Sequence, residues 1–223
     1  MEQHLKILMV DDHPMIIEGY QMTLVATKKP HQHLNIDIAH DCDMANELIL
    51  KAAKSEPYDV LFFDISLPAS KDGLITSGED LAKIARVYLP DAKVIILTMF
   101  NESFRILNII KGINPEGLLI KSDLTSSELA EAFQHILSSP PYYSSTVSGF
   151  LNTTITSDIY LDETNRKILH LLSQGVKTKT LKEHIDLSMS AIEKRKKHLK
   201  LLFDVEDGKD ETLLKEARQR GFL

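Results

Sequence analysis

Apolar residues in the first 140 or so positions follow two alternating rhythms. Short, nearly continuous runs recur: residues 5–10 (Leu-Lys-Ile-Leu-Met-Val), Leu34 to Ala39, Val60 to Phe63, Lys93 to Leu97 and Leu118 to Ile120, each bounded by polar residues or turn formers. Runs this short and this apolar predict strands buried on both faces of a parallel sheet. Between them, apolar residues return at three- and four-residue spacing. Ile16, Ile17, Tyr20 and Leu24 form one such face; Ala45, Leu48, Ile49 and Ala52 another, over about Asp43 to Lys54; Leu81, Ile84, Ala85 and Val87 a third; Leu129, Phe133, Ile136 and Leu137 a fourth. A further helix is expected from roughly Glu102 to Lys111. Pro14 suits a first helical turn, and Thr125 or Ser126 can cap the helix that follows it. Five strands alternating with five helices predict an α/β, five-stranded doubly wound parallel sheet joined by right-handed crossovers.

The pattern changes at Ser138. From there to Tyr160 the chain is rich in Ser, Thr, Pro, Tyr and Gly, and Pro140-Pro141 favours an extended path, so the segment reads as a linker. Phe150, Leu151, Ile155 and Ile159 are too many apolar residues for a free tether, and part of it should pack. The remainder is helical throughout. Asp162 to Asn165 places a cap before Ile168, Leu169, Leu171 and Leu172; Gly175 stops that helix; Lys179 to His184 gives a short second; Ser188 or Ser190 caps a third reaching Phe203; a last one runs from about Asp210 to Arg220. A short helix, a turn at Asp186-Leu187-Ser188 and a longer helix form a helix-turn-helix pattern. The expected division is therefore an α/β domain over 1–137, a linker over 138–160 and a small all-α helix-turn-helix domain over 161–223.

Composition and charge narrow the possibilities. At 223 residues with 43% hydrophobic and 26% charged, the chain has the make-up of an ordinary globular protein of two domains. The longest apolar runs, such as Val94 to Leu97, fall far short of a membrane span, and Met1-Glu2-Gln3-His4 is no export signal, so a cytoplasmic protein without a membrane partner is expected. Cys42, the single cysteine, excludes an internal disulfide and a thiolate metal cluster. The net charge of −6 is unevenly spread: residues 1–150 hold 12 Lys/Arg against 20 Asp/Glu, and 151–223 hold 14 against 12. Only the second part has the balance suited to a polyanion. Its third helix carries Lys194, Arg195, Lys196, Lys197 and Lys200, with Ile192, Leu199, Leu202 and Phe203 left for a core, and so presents a cationic face fit for a major groove and its phosphates.

Candidate chemistry lies at the strand ends. The first strand runs into Asp11 and Asp12, the third into Asp64, the fourth into Thr98 and the fifth into Lys121. In a parallel sheet those ends share one edge, so residues distant in sequence converge on one pocket. Carboxylates held together repel unless a hard cation neutralises them, and Mg²⁺ prefers such oxygens. With Mg²⁺ and a lysine stabilising a phosphoryl group, Asp64 can attack phosphorus to give an acyl phosphate, and the Thr98 hydroxyl can hydrogen-bond a phosphate oxygen. The long loop from Ala69 to Gly78, next to Asp64, invites a functional or regulatory use.

These motifs, namely Asp11-Asp12 before His13-Pro14, Asp64-Ile-Ser-Leu-Pro68, Leu97-Thr98-Met99 and Gly117-Leu-Leu-Ile-Lys121, resemble the receiver domain of two-component response regulators over residues 5 to about 137. The resemblance implies a flavodoxin-like fold and a histidine kinase as partner. It also implies Asp64 as phosphoacceptor, Asp12 as a Mg²⁺ ligand with Asp11 beside it and the Ser66 carbonyl as a further one, and Thr98 and Lys121 as switch hydroxyl and phosphate-binding lysine. Two positions depart from that family. Leu118 stands where a switch aromatic is common, and the loop after Pro68 is extended, so that either Asp72-Gly73 or Ser77-Gly78 takes the place of the usual Asp-Gly pair.

The C-terminal segment resembles the NarL/LuxR-type DNA-binding domain, through Glu163 to Leu172, Gly175-Val-Lys-Thr-Lys179, Leu187 to Ile192 and the closing Arg-Gly-Phe-Leu. That likeness implies phosphate contacts from Lys179 and Ser188, groove contacts from Lys194 and Lys197, and a homodimer in the active state, with the last helix supplying a dimer contact. Glu193, Arg195, Lys196 and Lys200 depart from the family's usual residues. The expected function is a DNA-binding transcriptional regulator switched by phosphorylation of Asp64, with catalysis confined to its own aspartate. The alternative is a receiver-based adaptor whose DNA binding is weak or indifferent to phosphate.

Overall fold

The computed structural model describes residues 2–99, 103–156, 161–220 and 222–223. They divide into two compact units, one built from residues 1–100 and 109–147, the other from 101–108 and 148–223.

The first unit is a parallel sheet with helices on both faces. Strand β1 (Gln3–Val10) leads to α1 (Pro14–Thr27), β2 (Gln32–Ala39) to α2 (Cys42–Ala52), β3 (Val60–Asp64) to α3 (Gly78–Tyr88), β4 (Lys93–Thr98) to α4 (Ser103–Ile113), of which the part from residue 109 onward belongs to this unit, and β5 (Gly117–Ile120) to α5 (Ser126–Ser138). The order is β2-β1-β3-β4-β5-β6, all pairs parallel. The sixth strand is the two-residue β6 (Tyr142–Tyr143), which extends the expected five-stranded sheet from within the stretch read as linker. Two residues are too few for a strand periodicity to show in the sequence. The same stretch continues into α6 (Ser145–Thr156); Ile159 and Tyr160 of the expected linker, like Glu102 of the expected fourth helix, lie outside the described residues.

Burial explains the runs. Strands β3 and β5 are buried along their whole length, whereas edge strand β2 is buried only at its ends. Alternate residues Leu5, Ile7, Met9, Val60, Phe62, Ile95, Leu97 and Leu119 pack against Ile17 and Leu24 of α1 and Leu129, Phe133 and Ile136 of α5. Phe62 and Phe133 stack with centroids 6.3 Å apart. Helix caps fall close to their sequence signals: Asp41 accepts from Met44 N–H at 2.8 Å, and Thr125 from Glu128 N–H at 3.1 Å.

The second unit holds α7 (Glu163–Ser173), a 3-10 helix (Thr178–Glu183), α8 (Met189–Leu202) and α9 (Asp210–Gln219). The short second helix expected over 179–184 is thus a 3-10 turn. Asp162 caps α7 and Ser188 caps α8, and Ile168, Leu169, Leu181, Ile192, Leu199, Phe203, Leu213 and Ala217 form the core. Gly221 lies outside the described residues.

Candidate phosphoacceptor site and nucleic-acid face

The register of the sheet brings the strand ends together. Val10 pairs with Phe63, Asp64 with Leu97 and Thr98 with Ile120, so the residues that follow β1 and β5 and those that end β3 and β4 meet on one edge. Lys121 Nζ stands 2.7 Å from Asp11 Oδ2 and 3.0 Å from Asp64 Oδ2. Lys121 is fixed from behind, its N–H donating to the Thr98 carbonyl at 2.7 Å. Asp11 and Asp64 are each 1% exposed and Thr98 is fully buried. Asp12 is half-buried, and Ser66 sits exposed two residues beyond Asp64.

Burial pushes the Asp64 carboxyl above its ordinary value; Lys121 opposes that shift, the neighbouring Asp11 adds to it, and the Ser66 backbone N–H opposes it again. Both Asp64 oxygens and Asp12 Oδ1 are buried without a well-formed hydrogen bond among the described residues. Ligand atoms of Asp11, Asp12, His13 and Asp64 all lie within 4.8 Å of one another. Lys121 reaches the Asp11 and Asp64 carboxylates and the His13 ring reaches Asp12, and the lone pairs left over are of the kind a hard divalent cation takes. The donor set is therefore compatible with Mg²⁺.

Two further side chains, His13 and Tyr20, and one of the two candidate glycines of the loop belong to this site. The His13 ring places Nδ1 2.7 Å from Asp12 Oδ1 and 3.3 Å from Asp11 Oδ1; its adjacency to the acidic pair was the available signal. Tyr20 occupies a helical core-face position in the sequence, and burial first, then the charges of Asp11 and Asp64, raise its hydroxyl to about 12. Gly78 opens α3 so close to β3 that a Cβ there would collide with the Asp64 carbonyl oxygen. Of the two glycine pairs in the loop, Ser77-Gly78 therefore makes the close approach. Gly73, at φ +70°, serves a turn closed by Ser70 and Asp72. A cavity of about 430 Å³ opens beside Lys121, lined in part by Tyr20, Met99 and Thr125.

In the second unit the expected cationic face is smaller than the sequence suggested. Lys196 is only 6% exposed, its Nζ 2.7 Å from Asp210 Oδ2 and hydrogen-bonded to Thr178; Lys200 lies 2.7 Å from Asp210 Oδ1. Arg195 donates to Asp162 at 2.7 Å and to Asn165 at 3.1 Å, tying α8 to the start of α7. These three cations brace the helices because residues 195, 196 and 200 turn back toward the half-buried carboxylates of Asp162 and Asp210. Lys194 and Lys197 remain exposed on α8 and Lys179 on the 3-10 helix, with Glu193 exposed beside them. Ser188 spends its oxygen capping α8, accepting from Ala191 N–H at 3.3 Å.

A receiver-like α/β unit with a carboxylate-and-lysine edge, followed by a helix-turn-helix unit, resembles the architecture of two-component response regulators. No protein-family model matches the chain. Among curated relatives it is similar to the oxygen regulatory protein NreC of Staphylococcus epidermidis, 25% identical over 208 residues covering 87% of this chain and 89% of the relative, and to NreC of Staphylococcus haemolyticus, 24% identical and covering 90% and 92%. Among solved structures it is similar to RcsB of Salmonella enterica serovar Typhimurium bound to a promoter in the presence of phosphomimetic BeF3⁻ (23% identity, TM-score 0.60, covering 95% of this chain and 97% of that one). A structure of two RcsB dimers bound to two parallel DNAs gives a TM-score of 0.62 at 21% identity, covering 97% and 98%. Among the described residues, no helix is long and apolar enough to cross a membrane.

Proposed function

We propose that this chain is a transcriptional regulator switched by phosphoryl transfer from a histidine kinase to Asp64. The observation that carries the reading is the meeting of Asp11, Asp64 and Lys121, residues 53 or more positions apart, within 3.0 Å of one lysine nitrogen. An Asp64 oxygen attacks phosphorus as the bond to the phosphohistidine nitrogen breaks and the imidazole leaves. Lys121 Nζ pairs with the phosphoryl oxygens, and Thr98 offers its hydroxyl to one of them. Asp11, Asp12, Asp64 and the Ser66 carbonyl would hold Mg²⁺, which supplies charge neutralisation for the transferring group. The loop over 69–78 follows the Asp64 strand, and shortening Ser70 to Thr76 is expected to alter phosphoryl lifetime or kinase choice.

The output unit reads duplex DNA as a homodimer, with Lys194 and Lys197 of α8 toward the groove and Lys179 and Ser188 at phosphates. The RcsB neighbours, one bound to a promoter and one seen as two dimers on two DNAs, support DNA binding by a dimer. The division proposed with this function is a receiver over 1–137, a connecting segment over 138–160 whose Tyr142 and Tyr143 join the receiver's sheet, and a DNA-binding domain over 161–223. Asp64→Asn abolishes labelling by acetyl phosphate with Mg²⁺ and removes phosphate-dependent, salt-sensitive retention of genomic fragments. Labelling that persists on another residue refutes the assignment.

One observation favours the adaptor reading. Lys196, Lys200 and Arg195 are engaged within the fold while Glu193 is exposed, which leaves few cations for phosphates. DNA retention that is weak and identical with and without phosphodonor selects that reading.

A further inference from the structure

Ser144 is fully buried at the start of helix α6. It comes 23 residues after Lys121 and immediately precedes the first residue of α6. Strand β6 brings it in: Tyr142 N–H donates to the Glu116 carbonyl at 2.9 Å and Ser144 N–H to the Leu118 carbonyl at 3.1 Å, so the outer edge of β5 is occupied up to the lysine. The Ser144 hydroxyl then accepts from Ile120 N–H at 3.1 Å and donates to Asp123 Oδ2 at 2.6 Å. It therefore grips the chain on both sides of Lys121. This takes a small side chain that both donates and accepts, and a hydroxyl is that group.

Asp123 carries the link onward. Its carboxylate accepts from Thr146 N–H at 3.0 Å and from the Thr146 hydroxyl at 2.8 Å, which satisfies free donors in the first turn of α6. Leu118, which stands three residues before Lys121, is buried in β5 between Ile96 of β4 and Tyr143 of β6 and has no aromatic ring to swing. The path from the lysine to α6 instead runs through main-chain bonds, one hydroxyl and one carboxylate.

We propose that Ser144 is a positioning residue for Lys121 and that, through Asp123, it couples occupancy of the Asp64 carboxylate to the first turn of α6. The inference rests on the phosphoacceptor reading of Asp64. A phosphoryl group on Asp64 draws Lys121 away from Asp11, the 120–123 segment follows the lysine, and the bonds from Asp123 to Thr146 pass the shift to the helix leading into the second unit.

The test uses the full chain with acetyl phosphate and Mg²⁺, following labelling rate and amide hydrogen exchange over residues 144–152. In the wild type, labelling changes exchange in that segment. Ser144→Ala is expected to label about 3- to 10-fold more slowly, the worth of one ordinary hydrogen bond, and to lose the exchange response, while Ser144→Thr, which keeps the hydroxyl, restores both. A wild-type rate in Ser144→Ala overturns the positioning role, and an unchanged exchange response overturns the coupling. If Ser144→Ala fails to fold, Asp123→Ala, which leaves Ser144 in place, must abolish the exchange response or the coupling is refuted. Absence of any labelling in the wild type overturns the phosphoacceptor reading itself, whereas labelling with an indifferent Ser144→Ala overturns this inference alone.

Discussion

Replacing Lys121 by methionine keeps most of the aliphatic stem and removes only the charge, so packing is little disturbed. The side chain of Lys121 is 9% exposed, and those of Asp11 and Asp64 are 2% and 1% exposed. The variant therefore leaves two buried carboxylates facing each other with no cation. Breaking a buried pair by removing one partner costs about 3 to 5 kcal/mol, and here one nitrogen serves two acids, so a loss of at least about 3 kcal/mol is expected in EDTA at neutral pH. The sign of the pH dependence follows from Asp64. Its folded value is already raised above 3.8, chiefly by burial and against the opposing pull of Lys121, and losing the lysine raises it further. The folded state then binds a proton at a pH where the unfolded chain does not, so the fold regains stability as pH falls through the folded value toward 3.8. Native-state hydrogen exchange over β1 and β3 isolates the first unit from the second. Mg²⁺ at about 100 times its Kd should return about 2.7 kcal/mol. A loss below about 1 kcal/mol in EDTA, or one that does not shrink on acidification, would refute the buried-charge account of this edge.

Three other outcomes can be checked. Lys194→Ala with Lys197→Ala should weaken duplex binding and lower the slope of log K against log salt by about 2 if both meet phosphates, or relax sequence preference if they meet bases; unaffected binding would remove α8 as the reading helix. Gly78→Ala must push α3 away from the Asp64 backbone, costing about 1 to 3 kcal/mol and slowing acetyl phosphate labelling, as measured by urea titration and radiolabel uptake; Gly73→Ala strains only a surface turn and should leave labelling unchanged. Burial works against ionisation of Asp210, but hydrogen bonds and charge from Lys196 and Lys200 outweigh it and hold the carboxyl below 3.8. Its contribution is complete above 3.8 and is lost as pH falls through the lower folded value. Asp210→Asn should accordingly flatten the acid loss of amide protection in α8 and lower protection at neutral pH; unchanged profiles would count against the buried network.

The alternation of apolar runs and helical stripes determined the doubly wound sheet, because strand and helix periodicities are local properties of the chain. It also determined that Asp11, Asp64, Thr98 and Lys121 share an edge, since every parallel strand ends on the same side. Helix caps at Asp162 and Ser188 were legible for the same local reason. What sequence could not supply was which long side chains find partners across the fold. Lys196 and Arg195 look like part of one exposed basic run, yet a carboxylate from another helix claims each of them. Strand β6 offered no period to detect, and only the free edge of β5 gave Tyr142 and Tyr143 a place to pair. Gly78 and Ser144 gain their significance from atoms distant along the chain: the Asp64 carbonyl for one, Ile120 and Asp123 for the other. Periodicity is written into neighbouring residues, whereas close approach and hydrogen-bond pairing between distant segments exist only once the chain has packed.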